Sequence, residues 1–176
     1  DQSSPQIAEH IRRGALLILP VGTTEEHGPH LPVDTDARIA EGYGERLAQA
    51  LAPELPVLLM DTIRYGYSMA VMKQWPGTIV VGTRTFMDYV FAVCCSVLEM
   101  GFRKLVLLDC HGHHDGLLKT VSRGNIADGL DEGEVRTLTN TLTSTVTKGS
   151  ETAKDEASAT ISFKKHSVQI SASKSF

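Results

Sequence analysis

An α/β domain with a mainly parallel sheet flanked by helices is predicted from three observations. Apolar runs recur at 15–21, 55–60 and 105–110, stretches of helical period separate them, and polar turn-rich segments follow their ends. Runs without alternation suit strands covered on both faces, as the strands of a parallel sheet are.

The run ALLILPV at 15–21 stops at Gly22 and reads as a buried strand. From Thr35 to Leu51, Ile39, Tyr43, Leu47 and Leu51 recur at steps of four, which predicts an amphipathic helix with Thr35 as its N-cap. LPVLLM at 55–60 is a second strand, and a loop with Gly66, Pro76 and Gly77 leads to another short strand, TIVV, at 78–81. A second helix runs from Thr83 to Gly101, capped by Thr83 or Thr85 and stopped by Gly101. It hands over to the strand LVLLDC at 105–110. Ser or Thr fills 16 positions of 137–176, so SATISFKKHSVQIS permits one or two strands or a loosely held tail. The reading is an α/β domain over 1–136, and a Ser/Thr-rich segment over 137–176 that completes it or is partly irregular.

Lys and Arg number 17 against 21 Asp and Glu, a formal charge of -4, so no broad cationic surface exists to attract phosphate backbones or anionic lipid. No apolar run approaches the ~20 residues that span a bilayer. The start DQSSPQIAEH has neither the basic nor the apolar part of a signal peptide. A soluble, cytoplasmic chain is expected, with no nucleic-acid or membrane partner. Cys94, Cys95 and Cys110 form no C-x-x-C pair, which points to a reducing compartment. Lys164, Lys165 and His166 read as a solvated charge cluster.

Two segments carry chemistry, each just past an apolar strand, where α/β sheets collect ligands. Residues 22–36 hold Glu25, Glu26, His27, His30, Asp34 and Asp36 among turn-forming Gly and Pro. Imidazole with carboxylate suits Zn²⁺ or Mn²⁺, and the segment offers no thiolate for a structural zinc knuckle. The bland alternative is a solvated acidic loop that caps the next helix. Residues 109–116 hold Asp109, His111, His113, His114 and Asp115. In an extended stretch His111 and His113 leave the same face and can meet one ion or two adjacent ones. Trp75, beside a Pro-Gly turn, forms a pocket wall or packs in the core. The Cys110 thiol shows no sign of activation, so it is not assigned as a nucleophile.

LPVGTTEEHGPHLPVDTD resembles the signature of the creatininase (creatinine amidohydrolase) family, close to L-P-x-G-[ST]-x-E-Q-H-G-P-H-L-P-x-x-T-D. Trp75-Pro76-Gly77-Thr78 resembles the family's [FW]-P-G-T step, and residues 101–108 resemble the turn before its N-G-H-x-x-N motif. The resemblance covers about residues 14 to 125. It implies a creatininase-like α/β fold with the metal site at the carboxyl ends of the strands. It also implies a homo-oligomer, commonly a hexamer, and two divalent ions, Zn and/or Mn, whose bridging hydroxide attacks a small amide, lactam or formamide.

Carried over by position, the resemblance makes Glu25 and His27 ligands of different ions, Asp36 the bridging carboxylate, and His111 and His113 further ligands. Asp109 and Cys110 stand where the family usually has Asn and Gly. A register shifted by two residues would instead use His113 and Asp115, at the cost of a longer strand before them. His113 is the first candidate for proton shuttle, with Glu26 and Asp115 behind it, and Ser68 and Trp75 are candidates to line the substrate pocket. The family's C-terminal H-A-G-E-like motif has only a faint echo in 149–153. The alternative function is therefore a catalytically impaired metal- or ligand-binding protein on the same scaffold.

Overall fold

Four parallel strands make the sheet of the first of two units, Asp1–Thr139. The computed structural model describes residues 2–127, 134–139, 157–161 and 170–174, with side chains to residue 123. The elements in chain order are α1 (Ser4–Arg12), β1 (Leu16–Val21), α2 (Thr35–Leu51), β2 (Val57–Leu59), α3 (Thr83–Glu99), β3 (Lys104–Asp109), α4 (Asp115–Ala127) and β4 (Glu134–Thr139). Short 3₁₀ turns occupy Ala70–Gln74 and Gly112–His114. The second unit, Asn140–Phe176, contains an antiparallel hairpin of β5 (Ala157–Ile161) and β6 (Ile170–Lys174). Residues 149–153 and the cluster at 164–166 lie outside the described residues.

Every residue of β1 is buried, as a strand covered on both faces requires. Leu17, Leu19 and Val21 share one face with Leu105 and Leu107 of β3. They pack under Phe86, Val90, Cys94 and Val97 of α3 and Leu118 and Val121 of α4. The opposite face meets α2, which comes so close that a Cβ on Gly44 would stand 2.9 Å from both Pro20 Cγ and Leu59 Cδ1. The strand order is β2-β1-β3-β4. From β1 the chain steps outward to β2, then returns across β1 to β3, so the order reverses between β1 and β3. Such a switch point opens a crevice beyond the carboxyl ends of its two strands.

Several local expectations are corrected. Residues 78–81 form no strand; a single bridge joins Tyr67 and Val81, and Ile79 donates to the Thr24 carbonyl at 2.9 Å. Both edges of β1 are already taken by β2 and β3, so this segment pairs with loops beyond the strand ends. Asp34, not Thr35, is the N-cap of α2, and the Thr35 hydroxyl donates to the Pro32 carbonyl. Gly82 takes the cap of α3 ahead of Thr83. No helix of the described residues is long and apolar enough to cross a membrane.

Candidate metal centre

Val21 and Asp109 are paired in register at the ends of β1 and β3, so the two His-bearing loops leave the sheet side by side. The first loop is closed by Glu25 N–H donating to the Val33 carbonyl at 2.9 Å. Its tip turns at Gly28, whose φ of +79 suits glycine and whose N–H donates to Glu26 Oε1 at 2.7 Å. The chain then enters α2, and its first turn lies directly over Gly22. A Cβ there would stand 2.6 Å from Ala37 Cα and 2.8 Å from the Asp36 carbonyl carbon. Only a bare Cα lets Asp36 come so near the strand end.

The groups that converge are carboxylates and imidazoles. His27 Nδ1–H donates to the Glu25 carbonyl at 2.9 Å, which turns Nε2 toward Asp36 Oδ1 at 3.1 Å. The other oxygen, Asp36 Oδ2, is 2.8 Å from His111 Nδ1, and Glu25 Oε1 is 3.6 Å from that nitrogen. His113 Nδ1 lies 3.3 Å from His111 Nε2. Donor atoms of Glu25, His27 and Asp36 fall within 4.8 Å of one another, as do those of Glu25, His111 and His113. Glu25, Asp36 and His111 are buried, whereas His113 is exposed. Burial, the largest single influence on His27, disfavours its charged form. The Glu25 carbonyl and the Asp36 carboxylate together outweigh burial and hold its pKa above the ordinary value. A site that favours a proton between buried carboxylates in this way also favours a cation. Mixed nitrogen and oxygen donors without thiolate fit Zn²⁺ or Mn²⁺.

The remaining residues singled out from the sequence are placed as follows. Glu26 serves the turn at Gly28, and its own N–H donates to Thr78 Oγ1 at 3.0 Å. Asp115 opens α4 and pairs with Lys119 at 2.7 Å. Ser68 is fully buried, and its hydroxyl donates to Glu25 Oε2 rather than facing solvent. Trp75 follows the 70–74 turn with 39% of its surface exposed, so it is not a core residue. His111 and His113 meet through the 3₁₀ turn at Gly112–His114, not through an extended stretch. Burial, with the charges of Asp109 and Asp36, pushes the Cys110 thiol up to about 12, which keeps it protonated and unreactive at neutral pH.

Sequence reasoning assigned no role to His114. Fully buried, it stacks on Phe86 with ring centroids 4.3 Å apart and meets Asp109 Oδ1 and the Tyr67 carbonyl, each at 3.0 Å. The spacing of Asp109 and His114 carries no signal until the intervening 3₁₀ turn is known.

Comparison with known proteins agrees with this architecture. The sequence model of the family described as Creatininase: Creatinine amidohydrolase matches residues 1–170. The 3-dehydro-scyllo-inosose hydrolase of Thermotoga maritima is 36% identical over 107 residues, 61% of this chain and 33% of that protein. The mycofactocin precursor peptide peptidase of Mycobacterium tuberculosis (strain CDC 1551 / Oshkosh) is 34% identical over 127 residues, 66% of this chain and 48% of that protein. The chain thus spans a third to a half of the length of these relatives, both named for hydrolytic activity. A solved structure described as Creatininase Mn superposes with a TM-score of 0.70 at 22% identity, over 80% of this chain and 56% of the other, and shows the same fold. Matched across 1–170 by the family's sequence model, and built on the fold its solved members display, this chain belongs to the creatininase family.

Proposed function

We propose that this chain hydrolyses the C–N bond of a small amide, lactam or formamide at a centre of two divalent ions, Zn²⁺ and/or Mn²⁺. The observation that carries the reading is the Asp36 carboxylate, which turns one oxygen to His27 and the other to His111. Asp36 would be the shared ligand, His27 would serve one ion, and Glu25 with His111 would serve the other. His113 completes the donor set or moves the proton. Bound there, divalent ions polarise a carbonyl and lower the pKa of water.

The chain's own residues orient and move protons around that centre. His113 is exposed beside His111 and free of a carboxylate partner at hydrogen-bond distance among the described residues, so it is the best placed to accept a proton and return it to the leaving nitrogen. Glu26 and Asp115 rank behind it, because their carboxylates are engaged by the Gly28 N–H and Lys119. Trp75 presents a partly exposed ring to substrate, and Ser68 holds Glu25. Exposed Tyr65, Met69 and Val71 support assembly into a homo-oligomer such as a hexamer. Cys94, Cys95 and Cys110 form no disulfide, which suits the cytoplasm.

The test pairs elemental analysis with a panel of amides, lactams and formamides. Two ions per chain with turnover is the expected result. Protein that gains no divalent ion on incubation overturns the reading, and metal without turnover replaces it with the metal- or ligand-binding alternative.

A further inference from the structure

We infer that the buried pair Asp109 and His114 is a positioning device that sets Glu25 and His111 at once. This rests on the proposed reading of those two residues as metal ligands.

Asp109 sits at the last position of β3, fully buried, and among the described residues Oδ1 carries all its side-chain hydrogen bonding. That oxygen accepts the His111 N–H at 3.1 Å and faces His114 Nδ1 at 3.0 Å, while Oδ2 has no partner among the described residues. Leaving a carboxylate oxygen orphaned in the interior costs stability. Its retention calls for a task that apolar packing cannot do.

His114 carries the restraint to the other loop. The Tyr67 carbonyl can only accept, so His114 Nε2–H donates to it. The next residue is Ser68, whose hydroxyl donates to Glu25 Oε2. Contact along this path is close: a Cβ on Gly66 would collide with the His114 ring and lie 2.7 Å from the Gly22 carbonyl oxygen. Phe86 of α3 covers the face of the ring, with the two planes 25° apart, while the hydrogen bonds to Asp109 and Tyr67 set its orientation. One rigid imidazole therefore ties the strand end that places His111 to the loop that orients Glu25. Neither Asp109 nor His114 is a catalytic residue, since each acts through another side chain. Outer partners of this kind usually change metal affinity by ~10–100-fold when removed.

His114→Asn tests the idea, because its amide nitrogen can replace Nδ1 toward Asp109 but is too short to reach Tyr67. Phe86→Leu serves as the packing control, loosening the same region while leaving both hydrogen bonds of His114. Co²⁺ is titrated into each protein, following affinity by calorimetry and coordination by visible absorption. The expected result is a ~10–100-fold weaker, spectrally altered Co²⁺ site in His114→Asn, with near-native binding in Phe86→Leu even if its melting temperature falls as far. Ser68→Ala combined with His114→Asn should be no worse than the poorer single variant, because both cut the same path to Glu25. Native affinity and spectrum in His114→Asn, or fully additive losses in the double variant, overturn the inference. A crystal structure of metal-free His114→Asn decides the matter even if the native protein binds no Co²⁺. Ser68 displaced from Glu25 supports the device, and Ser68 unmoved refutes it.

Discussion

Adding one methyl group at Gly22 should disable the metal centre without touching a ligand. Gly22 is not among the glycines with positive φ, so alanine meets no dihedral barrier there. The obstacle is contact: the new Cβ would lie 2.6 Å from Ala37 Cα, 2.7 Å from Ala37 N and 2.8 Å from the Asp36 carbonyl carbon. All three are backbone atoms, so no rotamer change relieves them. Restoring an ordinary separation of 3.4 Å requires the start of α2 to retreat by about 0.8 Å, and in a close-packed interior Asp36 moves with it. Overpacking of this kind costs ~1–3 kcal/mol, and a displacement near 1 Å at a reacting centre can cost ~10²-fold in rate. Gly22→Ala should therefore fold with a lowered melting temperature and hold fewer than two ions per chain. Elemental analysis after Zn²⁺ or Mn²⁺ loading, beside a thermal melt, measures both. A variant with native melting and full metal content would show that α2 is not pinned against the strand end, and the account of how Asp36 is placed would be wrong.

Asp36→Ala should empty the centre, because each of its oxygens faces a different histidine; two ions retained by elemental analysis would remove it from the shared position. His111→Ala should lose metal and turnover together, whereas His113→Ala should keep most metal and lose ~10²–10⁴ in rate. The reverse ordering of metal contents would favour the shifted register, with Asp115 as partner. Burial holds the Cys94 and Cys110 thiols at about 12 against an ordinary 9.0. Between those values the unfolded chain releases protons that the native chain keeps, so the two thiols add no pH dependence below pH 9 and lower stability as pH rises toward 12. Urea midpoints at rising pH check this, and a Cys94→Ala, Cys110→Ala variant should lose the slope. Native Cys110 should also resist iodoacetamide at neutral pH, and rapid labelling would contradict its raised pKa.

What sequence could reveal depended on how far apart the determinants lie. β1, α2 and β3 are legible because unbroken apolar runs and a four-residue stripe are local signals with one packing solution. α1 was not, since Ile7 and Ile11 make only a thin stripe and its start rests on Gln6 Oε1 accepting the Ser3 N–H. In α4, Gly116 and Gly124 interrupt the apolar pattern, and the burial of Leu118 and Val121 shows which face meets the core. TIVV has the composition of a strand, yet strand formation needs a free edge, and sheet order is not a local property. The same limit applies at the metal centre. Clusters of His and acid residues at strand ends mark the neighbourhood, but the burial of Ser68 against Glu25 and the path through His114 depend on three loops meeting.

The reversal of strand order between β1 and β3 also sets when the centre can exist. Asp36 and His111 are separated by 75 positions, and the segment between them contains α2, β2 and α3. Until that whole excursion has folded and β3 has zipped onto β1, a cation meets only two dilute half-sites on a loose chain. On the proposed reading, metal capture would be a checkpoint rather than a seed: it would latch the finished sheet instead of templating the early one. Free ion then shifts the equilibrium toward the native chain by mass action. Cells short of the ion would hold this protein folded but unlatched, and more exposed to proteolysis than its sheet alone suggests.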